Sequence, residues 1–335
     1  MKKTNLYWPV YKNLEKEVID LSFNVYFDDM QFEYILDKTD GEKYVKTPPY
    51  SIKIGDLLIR CCIEIEALTK EMTRCREDDI KKMLTFDKKK GITIAGRALY
   101  LKNLWDLDKK IIYVSSPNMF FQKEENLAFA PFCYKAEDND DFISAYNAIK
   151  HNRNKKTIYK GNIRFLLRAM AVLFLLNVYF KDEDVSLGGR AFNNYIQFDE
   201  NCGSNLFSLR VFRADNFYYM KNYLSETPVA YKELPKCTYI IKYSKESFNR
   251  ISEVYCREME KCMTQFNKAI NDFLEKNPKF TYASKKDLHN EVLANNEKLQ
   301  KHLELVVDNS IQTANRATSH ATLNKGQDIY PKVDY

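Results

Sequence analysis

Apolar residues fall at helical spacing in several long stretches of the chain. From Tyr11 to Leu21 they outline a short amphipathic helix. From Ser51 onward, Ile54, Leu57, Leu58, Cys61, Ile65, Leu68 and Met72 follow steps of three and four, which predicts a long helix with one buried stripe. A second helical stretch lies near residues 96–107, and a third runs from Phe142 to Asn152 with Phe142, Ala145 and Ile149 inward. The aspartates of 137–141 suit the N-cap of that third helix. Asn162 to Phe180 holds the most apolar run, residues 169–180; at 12 residues it reads as a buried core helix, because a membrane span needs roughly 20. After it the period changes to two. Residues 194–198, 205–212, 216–220 and 237–243 read as strands, as do 22–29 and 31–37 near the start. Residues 113–135, with two prolines and clustered aromatics, read as an ordered irregular connection.

Ser244 then caps a strong helix. Phe248, Ile251, Tyr255, Met259, Cys262, Phe266, Ile270 and Phe273 keep its stripe, and Asn277 before Pro278 ends it. Ser284 and Asp287 resemble a capping box for one further helix, Leu288 to about Val307, so the two predict a helical hairpin. From Asp308 the chain is polar and reads as a mobile tail or an arm ordered by a partner. The pattern divides the chain into a mixed α/β lead-in (1–48), a helical bundle (49–185), a β-rich segment (186–243), C-terminal helices (244–308) and a polar tail (309–335). The fold class is mainly α, with small β segments and the C-terminal helical hairpin.

Composition narrows the chemistry. The chain has 335 residues, 45% of them apolar and 29% charged, which describes a globular protein with a real core. Only 9 glycines occur, and neither a G-x-G-x-x-G nor a P-loop pattern is present, so no nucleotide cofactor is implied. Eight cysteines are scattered without a C-x-x-C and only 4 histidines occur, so no structural zinc site is expected. The first residues lack the apolar core of a signal peptide, and unpatterned cysteines suit a reducing compartment. The expected location is therefore cytoplasmic, with no membrane partner.

A net charge of +6 says little, but its distribution says more. Between Phe142 and Phe180 there is no Asp or Glu, while Lys150, Arg153, Lys155, Lys156, Lys160, Arg164 and Arg168 crowd the turn between two helices. Asn147 and His151 stand four apart, hence on one helical face, with Lys150 beside them. A histidine serves as acid or base near neutrality, an amide can orient it, and the cations can hold a phosphate. The following helix adds backbone donors at its N-terminus. The same residues also describe the solvated basic end of a helix, and spacing alone leaves both readings open. Glu64 and Glu66 face different sides of the first long helix, and one of them could orient His151 or a basic residue. Residues 81–91 and 203–220 interleave cations with aromatics but read as a solvated loop and as core strands. His289 and His302 read as structural or surface residues, Cys61 and Cys62 as core. No Ser-His-Asp or Cys-His nucleophile system is visible along the chain.

Residues 146–151, Tyr-Asn-Ala-Ile-Lys-His, resemble the Arg-Asn-x-x-x-His motif of the HEPN superfamily, whose all-α domains occur in many prokaryotic nucleases and defence proteins. Residues 64–72 resemble that family's first helix, 163–180 its apolar helix after the motif, and the likeness covers roughly 50–182. The resemblance implies a HEPN-like bundle and a bacterial RNA-binding protein. It further implies a metal-independent endoribonuclease of an anti-phage or toxin-type defence system, working as a homodimer. On it His151, Asn147 and Arg153 are the catalytic residues, and Tyr146, Lys150, Lys155, Lys156, Lys160 and Arg164 bind RNA phosphate. This chain departs at one position: Tyr146 stands where the motif has Arg. That leaves open a second expectation, a non-catalytic dimerising sensor that engages a protein partner through its C-terminal helices and tail.

Overall fold

A computed structural model describes residues 5–29, 49–84, 92–133, 142–151, 157–189, 198–218, 220, 231–282 and 284–330. The expected strand at 31–37, the acidic cap at 137–141 and most of the strand at 194–198 lie outside these residues. The protein is mainly helical, with ten α-helices among the described residues.

Helix α1 (Tyr7–Ser22) opens the chain, and the Asn5 side-chain oxygen caps it by accepting from Tyr7 N and Trp8 N. Its buried Glu15 carboxylate accepts from Tyr11 Oη at 2.9 Å, Ser204 Oγ, Asn205 N at 2.9 Å and Leu206 N at 3.2 Å, and pairs with Lys12. One carboxylate thereby fastens the 199–206 loop to α1, since a buried charge is tolerated only with such a full set of donors.

Helix α2 (Ile52–Met72) follows the sequence expectation closely. Ser51 Oγ caps it from Ile54 N, and Ile54, Leu57, Leu58, Cys61, Cys62, Ile65 and Leu68 are buried. Short α3 (Glu77–Met83) and α4 (Ile94–Trp105) are tied together by Arg97, which donates to Thr73 Oγ1 at 2.8 Å and Glu77 Oε1 at 3.1 Å. A four-residue helix, α5 (Glu124–Leu127), then precedes α6 (Phe142–His151) and α7 (Ile163–Lys181). By length and composition α7 could cross a membrane, yet 83% of its apolar window is buried inside the protein. It is the central post of the larger core, packed on α1, α2 and α6.

The small strands form three sheets. β1 (Phe27–Asp28) pairs in parallel with β3 (Met119–Phe120). β2 (Ile112–Val114) lies between β4 (Ala128–Phe129) and β6 (Phe207–Leu209), both antiparallel to it. The third sheet has the order β5-β9-β8-β7, from β5 (Val185–Gly189), β9 (Thr318–Leu323), β8 (Tyr239–Tyr243) and β7 (Val211–Arg213). The expected strand at 205–212 thus divides at Arg210 and serves two sheets.

A second core holds α8 (Lys245–Lys276), capped by Ser244 as expected, together with α9 (Lys285–Ala294) and α10 (Glu297–Ala314). Two expectations are corrected here. The single helix from Leu288 to Val307 is broken at Asn295 and Asn296, because Asn295 Nδ2 donates back to Glu291 O and Asn296 Oδ1 caps Leu299 N. The polar tail is no tail as far as residue 330. Helix α10 continues to Ala314, and β9 sits inside the sheet with Ser319, Ala321 and Leu323 buried. Tyr330 stacks on Phe248 with ring centroids 4.6 Å apart, and its hydroxyl donates to Ala214 O at 2.9 Å.

Candidate functional site

The end of α6 gathers the residues of the motif. Phe142, Ile143, Ala145, Tyr146 and Ile149 bury one face of the helix against α2 and α7. At 3.6 residues per turn, Tyr146 and Lys150 stack on one track while Asn147 and His151 stack on the next. The first track is half inside: Tyr146 is only 2% exposed, whereas Lys150 is exposed. The second track faces solvent, with both Asn147 and His151 exposed. Among the described residues no hydrogen bond joins Asn147 to His151. The helix aligns them, and the expected orienting contact is not made in this state.

Lys150 curls back over its own helix. Its Nζ donates to Tyr146 Oη at 2.9 Å and lies 5.0 Å from the centre of that ring. The hydrogen bond to the hydroxyl and the electrostatics of Tyr146 hold the ammonium above the usual lysine pKa, and the Glu66 carboxylate on α2 raises it further. Lys150 is therefore a cation held on Tyr146, one position before His151 in the helix. Glu64 points elsewhere: after burial, Glu71 and then Glu64 raise the Tyr7 hydroxyl pKa on α1. The two glutamates do face different sides, and Glu66 is the one whose charge acts on Lys150.

Tyr146 needs a correction. Read as a hydrogen-bond donor open to phosphate, it is a core residue whose oxygen accepts from Lys150. Its ring occupies the inward face because position 146 shares that face with Phe142 and Ile149. What reaches solvent from this pair is the lysine.

The turn between α6 and α7 is pinned on its α7 side. A one-turn 3-10 helix (Ile158–Lys160) leads to Gly161, which packs directly on Gly55 of α2. Asn162 is fully buried, and its Oδ1 accepts from Phe165 N at 3.1 Å. Ile163 N donates to Pro49 O at 3.2 Å, and Ser51 N to Gly161 O at 3.3 Å. The chain thus uses the Ile163 and Phe165 donors itself, which corrects the expectation that the start of α7 presents its free N–H groups to an anion. Lys160 and Arg164 are half-buried, and Arg164 has an interaction of its own. Arg153, Lys155 and Lys156 lie outside the described residues.

The structure therefore brings Asn147, Lys150 and His151 to one surface. The sequence reading missed that Lys150 bonds to Tyr146, although their four-residue spacing signals such contact. It also left open which glutamate faces the site. Of the described aromatics of 203–220, Phe207 and Phe217 are buried, Phe212 is half-buried and Tyr218 is exposed, and Cys61 and Cys62 are fully buried.

Compared with models of protein families, with curated proteins and with solved structures, the chain matches none of them.

Proposed function

We propose that this protein is a HEPN-like RNA-binding protein that cuts RNA without a metal ion, with the end of α6 as its phosphate-holding site. The observation that carries the reading is the exposed His151 preceded in the helix by Lys150, whose ammonium is anchored on Tyr146 Oη at 2.9 Å, in a stretch free of acids. In this reading Lys150 takes the place of the motif arginine. It holds a non-bridging phosphate oxygen as charge builds there. His151 takes the proton of the attacking 2′-hydroxyl or returns one to the leaving 5′-oxygen, and Asn147 steadies it when RNA is bound. Arg153, Lys155, Lys156, Lys160 and Arg164 extend the contact along the backbone. A second copy of the chain, docked through the bundle, supplies the opposite wall of the cleft. The defence role and the cytoplasmic setting rest on the resemblance and on the sequence alone.

One observation favours a second reading, binding without cutting. Tyr146 is buried, so the position that carries a charge in the motif contributes none here. The two readings separate in one experiment. Cleavage of labelled RNA in EDTA is compared for wild type, His151→Ala, Lys150→Met and Arg153→Ala. The enzyme reading expects His151→Ala to abolish cutting, and Lys150→Met to weaken binding and flatten its salt dependence by about one counter-ion. Binding without cutting by the wild type supports the second reading. Equal cleavage by all four proteins removes the site assignment.

A further inference from the structure

Where α7 ends, at the opposite end of the helix from the basic turn, the protein holds a cavity of about 550 Å³. Trp8 of α1, Phe198, Tyr239 of β8, and Val185 and Leu187 of β5 form its apolar wall. The walls are set by packing of their own. Trp8 stacks on Tyr11 with ring centroids 5.1 Å apart, and Phe198 meets Tyr239 at 4.8 Å. The 199–206 loop, already fastened to α1 by Glu15, is tightened by Asp199, which accepts from Asn201 N and Gly203 N at 3.1 Å each. A preformed space of this size suits a small organic molecule. Asp184 Oδ1 meets His320 Nδ1 at 3.1 Å, and neither residue is part of the cavity lining.

Two features say what that molecule is. The first is a hydroxyl. Tyr239 is only 3% exposed, and among the described residues no hydrogen bond meets its Oη. A buried polar group left in that state is an exception in a folded protein. The second is the sign of the charge around it. After burial, the neighbours that push the Tyr239 hydroxyl above its usual pKa are Cys202 and Glu183, both in the same lining, and then Asp182 and Asp184. The Cys202 thiol is pushed up to about 12 by burial and then by Asp199, against the opposing pull of Lys181. The lining itself holds Glu183 and Asp199 against Lys181 alone. Such a field repels an anion and gives a neutral molecule no advantage. A cation gains from it, and gains again from aromatic rings, whose faces attract positive charge.

We infer that this cavity binds a small organic amine in its ammonium form, carried on an apolar or aromatic body, at a site separate from the α6 surface. The ammonium lies against the touching rings of Tyr239 and Phe198 and donates an N–H to Tyr239 Oη. Glu183 acts on it through charge, as it acts on the hydroxyl, and need not touch it. The apolar body lies along Val185 and Leu187. The site binds and does no chemistry.

The test uses the full chain, with phenethylamine as the probe and calorimetry as the readout. Its neutral counterpart is phenethyl alcohol and its anionic one 3-phenylpropionate. The chain has 2 tryptophans, so Trp105→Phe leaves Trp8 of the cavity wall as the sole indole, and its fluorescence reports occupancy. The expected result is that the amine binds and changes Trp8 emission, the alcohol binds at least about 10-fold more weakly, and the anion does not bind. Tyr239→Phe weakens the amine about 5-fold but leaves benzyltrimethylammonium, which has no N–H, unchanged. Glu183→Gln narrows the preference for amine over alcohol. Val185→Phe, folded by circular dichroism, fills the space and abolishes binding. His151→Ala binds the amine as wild type does, so failure of the RNA reading does not touch this one. Absence of amine binding, equal binding of amine and alcohol, preference for the anion, or undiminished binding in folded Val185→Phe overturns the inference.

Discussion

Gly55 and Gly161 touch, yet adding one methyl to each is expected to have opposite effects. Gly55 lies inside α2, where glycine costs about 1 kcal/mol relative to alanine. A Cβ built on it meets Ile149 Cγ2 at 3.7 Å and Gly161 Cα at 3.9 Å, which are ordinary contacts. Gly55→Ala should therefore stabilise the protein by about 1 kcal/mol. A Cβ on Gly161 would instead sit 3.0 Å from Gly55 Cα, and 3.3 Å from both Gly55 N and Ile158 O. All three are backbone atoms, so no side chain can swing aside. The backbone of Gly161, at φ −79° and ψ 59°, is itself open to other residues, which leaves the clash as the cause. Gly161→Ala should cost about 1–3 kcal/mol, the usual penalty of forcing extra volume into a packed site. It also strains the Ser51 N to Gly161 O bond and the Tyr50 to Asn162 bridge. Urea denaturation of the two variants and wild type measures both effects. If Gly161→Ala is as stable as Gly55→Ala, the close approach of α2 and the α7 lead-in is wrong.

Other consequences are equally open to measurement. Lys110 is 1% exposed with Nζ on Pro235 O at 3.0 Å, and burial lowers its pKa from 10.5 to about 8. The folded state thus binds this proton less tightly than the unfolded chain does. The cost is fully present below pH 8 and fades as pH rises toward 10.5. Relative to Lys110→Met, wild type should gain about 3 kcal/mol across that window in denaturant titrations at fixed pH, and parallel curves would refute the burial of this amine. Glu15→Ala leaves four donors and Lys12 without their acceptor and should cost about 3–5 kcal/mol, whereas Glu15→Gln, which keeps an oxygen, should cost less. Tyr330→Phe deletes the hydroxyl that serves Ala214 O and Tyr243 N and should cost about 1–3 kcal/mol by thermal unfolding; a loose arm at this position would show no change.

Long periodic elements were legible in the sequence. Helices α2 and α8 follow their apolar stripes because one face of each is buried over many turns, and α7 is apolar all round because every residue from Ala169 to Tyr179 is buried. The exposure of Asn147 and His151 was legible for the same reason, since Phe142, Ala145 and Ile149 fix the opposite face. Strand β9 was not. Its inward residues are Ser319, Ala321 and Leu323, and small side chains leave little hydrophobic contrast even when they are buried. The break at Asn295 and Asn296 hid within a helical period, because a cap is a local hydrogen bond and the stripe resumes after it. The meeting of Asp184 with His320, 136 positions apart, has no local signal at all; only the register of the sheet creates it. Tyr146 shows the limit of a motif. Its place on the face of Phe142 and Ile149 buries it, and its hydroxyl oxygen accepts from Lys150.

Because β9 lies between β5 and β8, the larger core cannot close until residues 318–323 have been made and threaded into place. Ala321 and Leu323 belong to that core, and Asn324 O receives the Tyr179 hydroxyl of α7 at 2.8 Å. Folding is therefore delayed at a late, non-local pairing of the kind that slows a chain, and the facing edges of β5 and β8 wait open during synthesis. Those two edges are the natural point of attack for aggregation or for a chaperone. A partner that supplies a strand in advance of β9 would hold the protein unfinished.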